Sequence, residues 1–132
     1  MLNELAKEVH QNAVEHGWWE ENRSFGDIIA LIISEPIEAL EEYRNGFAPT
    51  NTYYACKAPE SAYDEFGDLP DCKGICSGCN YGKPEGIPSE LADCIIRILD
   101  YCGKEGIDID EAIRIKHEYN KTRPYKHGGK VI

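Results

Sequence analysis

The 132-residue chain has no apolar run of the roughly 18 residues that a membrane-spanning helix requires. Its opening stretch, MLNELAKEVHQNAVEHG, lacks the apolar core and small-residue cleavage site of a secretory signal and is instead amphipathic and charged. Without a secretion signal, the six cysteines point to a reducing compartment, and to metal binding or packing rather than disulfides. The expected localisation is therefore cytoplasmic. Positive charge is scarce: 14 Lys and Arg face 24 Asp and Glu, for a formal net charge of −10. That balance argues against nucleic acid and anionic membranes as partners. It leaves room for a nucleotide, whose phosphates metal ions can screen. A hydrophobic content of 42% suits a folded chain rather than a disordered one, and the length suits a single domain over 1–132.

The patterning predicts four helices and one irregular segment. The first helix spans roughly Leu2 to His16, with Leu2, Leu5, Val9 and Ala13 on one face. Ser24 and Asp27 form a capping pattern ahead of a second helix from about Phe25 to Asn45. The centre of that helix, Ile28 to Ile33, is apolar all round, as in a bundle centre or a subunit interface. Pro36 interrupts it, and an internal proline costs about 3 kcal/mol and usually kinks a helix. The third helix is expected over Pro88 to Gly103, with Leu91, Cys94, Ile95, Ile98, Leu99 and Cys102 toward the core. The fourth runs from about Asp110 to Thr122, with Ala112, Ile113 and Tyr119 inward. The fold class is all-α, four helices in a bundle.

Two carboxylate pairs sit at helical spacing: Glu35 with Glu38, and Glu90 with Asp93. Residues three apart share a helix face, so each pair can aim two oxygen ligands at one point. Four carboxylates from two packed helices suit a hard divalent cation, most plausibly Mg2+, and hence phosphate chemistry. For Glu90 and Asp93 alone, a solvated charged face is the simpler reading; the matched pair in the second helix favours a site. Glu38 is the candidate for orienting an attacking water, with Glu41 and Glu42 one turn on as outer supports.

Residues 47–86 have a different texture, rich in Gly, Pro, Tyr, Asp and Cys and without helical period. A structureless loop of that length is rare in a domain unless something ties it down. Cys56, Cys72, Cys76 and Cys79 are spaced much like a four-thiolate Zn2+ site. Another metal, an iron–sulfur cluster and free thiols are the alternatives.

The chain ends in a basic segment. From Arg114 to Ile132 six Lys and Arg, Lys126 among them, face one acid, Glu118. Such a run is often only a solvated tail. Lys116, Asn120 and Arg123 fall one above another on the fourth helix, however, and can present an ammonium, an amide and a guanidinium to one phosphate ligand, with Lys126 just beyond. Trp18 and Trp19 are candidates to stack on a base, or to anchor a core or interface.

Taken together, E-x-x-E, then E-x-x-D, then N-x-x-R-P-Y-K-H-G-G-K resemble the MazG-like nucleotide pyrophosphohydrolases of the all-α NTP pyrophosphatase superfamily. The resemblance covers roughly residues 17–46 and 84–132. It implies that Glu35, Glu38, Glu90 and Asp93 bind Mg2+, and that Lys116, Asn120 and Arg123 contact phosphate. It further implies hydrolysis of a nucleoside triphosphate to monophosphate and pyrophosphate by a homodimer or homotetramer. The chain departs from the pattern at Pro36, and in the 51 residues that separate Glu38 from Glu90. The competing expectation is a non-catalytic helical dimer whose zinc loop docks a protein partner.

Overall fold

The computed structural model describes residues 1–70 and 72–125, so the expected phosphate contact of Lys126 lies outside the described residues. Among these residues the chain is mostly helical, in the order α1 (Leu2–Glu15), α2 (Phe25–Arg44), β1 (Tyr53–Cys56), β2 (Gly82–Glu85), α3 (Ile87–Glu105) and α4 (Ile109–Lys121). No helix among them is long and apolar enough to cross a membrane. The helices start and stop within one or two residues of the bounds read from capping and periodicity. The capping box ahead of α2 forms: Asp27 N–H donates to Ser24 Oγ at 3.1 Å, and Ser24 N–H to Asp27 Oδ2 at 3.4 Å. Helix α2 continues through Pro36 to Arg44.

The chain divides into two units, Met1–Ile28 with Ile96–Ile132, and Ile29–Ile95. In the first unit Ala6, Leu99 and Cys102 form a small buried core, and Leu2, Val9 and Ile109 pack against it. Polar contacts tie α1 to α4 at their N-termini. The Asp110 carboxylate accepts from the N–H groups of Leu2 and Asn3, both at 3.0 Å. Asn3 Oδ1 in return accepts from the N–H groups of Ile109 and Asp110, at 2.9 and 3.2 Å. Each helix thus supplies acceptors for first-turn donors the other leaves unpaired.

In the second unit β1 and β2 pair antiparallel, with Tyr53 opposite Glu85 and Cys56 opposite Gly82. This corrects the expectation of an irregular 47–86 segment. The strands are four residues each and far apart in sequence, so neither a long alternation nor a short hairpin turn announces them.

The core is also narrower than the periodicity implied. Leu91, Ile95 and Ile98 of α3 are exposed rather than inward, as are Ile113 and Tyr119 of α4. On α2 the stripe Ile29, Ile33, Ile37 and Leu40 is likewise exposed, whereas Ile28 and Ala39 are buried. Apolar period identifies a helix face; it does not say whether the same chain covers it.

Gly103 marks a close approach of α1 and α3. A Cβ there would lie 2.5 Å from the Ala6 carbonyl oxygen and 2.7 Å from His10 Cβ. Alanine is the better helix former by about 1 kcal/mol, but a backbone oxygen cannot swing aside, and overpacking costs about 1–3 kcal/mol. Gly103→Ala is therefore expected to lower the urea and thermal midpoints. A raised midpoint would show that α1 yields.

Candidate metal centre

Helices α2 and α3 bring three of the four expected acids together. One carboxylate oxygen each of Glu35, Glu90 and Asp93 lies within 4.8 Å of the others. Glu35 is buried, with 4% of its surface exposed, and a buried acid needs a partner. Desolvation first, then the nearby Glu38, Glu35 and Asp93, together with a hydrogen bond to Glu35, push the Glu90 carboxyl up to about 7. Glu38 sits outside the tight triad, yet among the nearby charges it is the first to raise Glu90. An all-oxygen donor set of this kind fits a hard cation such as Mg2+.

A second triad shares Glu90. Oxygens of Glu42, Glu85 and Glu90, all half-buried, also come within 4.8 Å of one another. The Tyr53 hydroxyl donates to both Glu42 oxygens, at 2.8 and 3.0 Å. That bond is the largest reason the Tyr53 phenol is pushed up to about 12. Phe47 stacks on the Tyr53 ring at 4.6 Å, and Lys83 Nζ lies 3.5 Å from Glu85. Glu42, expected only as an outer support, thus comes within the same 4.8 Å of Glu90 as the members of the first triad do. Glu41 instead pairs with Arg44 at 3.1 Å on the surface. Glu85 and Tyr53 escaped the sequence reading because they reach the cluster through strand pairing, which leaves no helical spacing to see.

Among the described residues these two triads are the groups of three ligand atoms this close, and the thiols form no such group. Cys76 is half-buried; Cys56, Cys72 and Cys79 are exposed. Burial first, then Cys56, Cys79 and Cys72, push the Cys76 thiol up, so the four sulfurs lie in one neighbourhood. Cys94 is half-buried and Cys102 is in the core.

The remaining candidates belong to the first unit. Trp19 is anchored: its Nε1–H donates to Asp100 at 3.0 Å, His10 Nδ1 meets the same carboxylate at 2.8 Å, and Lys104 lies over the indole. Trp18 is partly exposed, with the guanidinium groups of Arg23 and Arg97 near its ring face. Lys116 and Asn120 lie exposed on α4 and Arg123 just past its end, where the expected helical row stops; the two cations lie over the Tyr119 ring at 5.2 and 6.0 Å.

No protein-family model, curated protein or solved structure matches this chain.

Ionising Glu90 among its neighbours burdens the folded chain and not the unfolded one. A carboxyl raised from 4.5 to about 7 contributes stability that is fully present below the lower value and lost as pH rises through the upper one. In chelator-treated protein, the melting temperature of wild type relative to Glu90→Gln should therefore fall between about pH 5 and pH 8. Parallel melting curves across that range would remove Glu90 from the charge cluster.

Proposed function

We propose that this chain is a metal-dependent nucleoside triphosphate pyrophosphohydrolase, splitting the α–β anhydride to give the monophosphate and pyrophosphate, with a dNTP as the expected substrate. The observation that carries the reading is the convergence of Glu35, Glu90 and Asp93, with Glu90 shared by a second triad. The resemblance of the sequence motifs to those of MazG-like enzymes, which includes the same acids, agrees with it. Glu35, Glu90 and Asp93 would hold Mg2+, which supplies charge neutralisation for the phosphates and makes water more acidic. Glu38, exposed at the rim of the triad, is assigned to orient the attacking water and accept its proton. Glu42, held by Tyr53, and Glu85 would form the second half of the acidic site. Lys116, Asn120 and Arg123 are assigned to the phosphates. Trp18, the more exposed of the two tryptophans, is the better candidate for the base.

The reading includes a homodimer or homotetramer that completes a MazG-like bundle. The exposed apolar stripes of α2 and α3 are the kind of surface a second copy would cover. It also includes a cytoplasmic location. The same stripes favour the second reading, a non-catalytic helical dimer, but that reading leaves the clustered acids without a task.

A panel of dNTPs assayed with Mg2+ for pyrophosphate against phosphate separates the two readings. Pyrophosphate release is expected, and Glu38→Gln should cut it by at least about a hundredfold with the fold intact. Unchanged turnover in that variant would remove Glu38 from the reaction.

Arg123→Ala should raise KM for the triphosphate more than Glu38→Gln does. An unaltered KM would leave the α4 row a solvated face.

A further inference from the structure

Residues 57–81 join the two strands, and among those described not one is buried. A segment of this length with no apolar core of its own needs some other cross-link to hold a shape. The cysteines are placed to supply it. Cys56 ends β1 and stands opposite Gly82, the first residue of β2. Cys76 and Cys79 lie just before β2 in a tight turn, the Cys79 N–H donating to the Cys76 carbonyl at 3.1 Å. The Gly82 N–H then donates to the Cys79 carbonyl at 3.0 Å, and the Lys57 N–H to the Tyr81 carbonyl at 2.7 Å.

Gly82 is the seat of this arrangement. A Cβ there would lie 1.8 Å from the Cys76 carbonyl oxygen and 3.3 Å from that of Cys79. Only a residue without a side chain lets the Cys76–Cys79 turn ride directly on the strand that faces Cys56. Cys72 approaches from the loop, and the Gly74 N–H donates to its Sγ at 3.3 Å. Hydrogen bonds of this kind stabilise the charge of a thiolate. Cys72 and Cys79 also line one cavity, together with Leu69 and Tyr81. Because Cys56, Cys72 and Cys79 are exposed, their side chains can turn toward Cys76 without displacing packed neighbours.

We propose that Cys56, Cys72, Cys76 and Cys79 bind one zinc ion that ties off the neck of this hairpin. Four thiols give up four protons on binding, which leaves the site with two negative charges; Lys57 and Lys73 follow Cys56 and Cys72 directly in sequence. The donor sets sort the metals: soft thiolates take zinc, and the oxygens around Glu90 take a hard cation. The two sets share one ladder. Cys56 stands at one end of β1 and Tyr53, opposite Glu85, at the other, roughly 10 Å away at strand rise. Closing the neck restrains the strands that carry Tyr53 and Glu85 to the second acidic triad.

The test is metal content and coordination, so its outcome is separate from whether the chain hydrolyses nucleotides. Full-length protein purified without added metal or chelator should carry one zinc per chain, bound by four sulfurs at about 2.3 Å in X-ray absorption. Cys76→Ser and Cys56→Ser should lose it and keep their helical circular dichroism. Should these variants fail to fold, cobalt(II) added to zinc-stripped wild type should give thiolate-to-cobalt charge-transfer bands. Zinc far below one per chain in reduced protein, absence of those bands, or iron with sulfide in its place would overturn the assignment. Zinc retained by Cys76→Ser but lost by Glu90→Gln would also overturn it, because the ion would then belong to the carboxylates.

Discussion

The second unit is arranged around a gathering of carboxylates. Glu90 meets Glu35 and Asp93 in one group and Glu42 and Glu85 in another. Helix α2 supplies Glu35 and Glu42, α3 supplies Asp93 along with Glu90, and β2 supplies Glu85. Burial first, and then each nearby like charge, makes ionisation of Glu90 harder, which is why its carboxyl is pushed up to about 7. An arrangement that costs the folded chain in this way persists when something else, such as a bound cation, compensates for it. The proposed Mg2+ chemistry is the simplest compensation consistent with an all-oxygen donor set.

The first unit is held differently. Its buried core is small, and much of its definition comes from directional polar contacts. Asp110 and Asn3 cap each other's helices, and His10 and Trp19 converge on Asp100. Such contacts set the angle and register of helices more sharply than apolar area does, but they cover little surface. The apolar residues left exposed in this unit, such as Ile98 of α3 and Ile113 and Tyr119 of α4, follow from that limit. A small chain has little material with which to bury every face it makes apolar.

The hairpin gives the cysteine-bearing segment a role in both proposed sites. Its loop end carries Cys56 and leads to the other cysteines, and its open end presents Tyr53 and Glu85. The Tyr53 hydroxyl spans both oxygens of Glu42, so one phenol fixes the orientation of an acid one helix away. Support of this kind, around the groups that would touch metal, sets how precisely a site is held.

Much was legible in the sequence because it is local. Helix bounds follow from the Ser24–Asp27 capping box and from glycines and prolines beyond helix ends, all interactions within a turn or two. The E-x-x-E and E-x-x-D pairs are equally local, since helical geometry alone puts each pair on one face. What the tertiary structure decided is non-local. It drew Glu90 between two triads, promoted Glu42, and brought in Glu85 and Tyr53 through strand pairing across the loop. It also decided that Leu91, Ile95 and Ile113 would be exposed while Leu99 and Cys102 were covered. Periodicity marks the faces of a helix, but which face is buried depends on partners distant in sequence, and no local spacing encodes them.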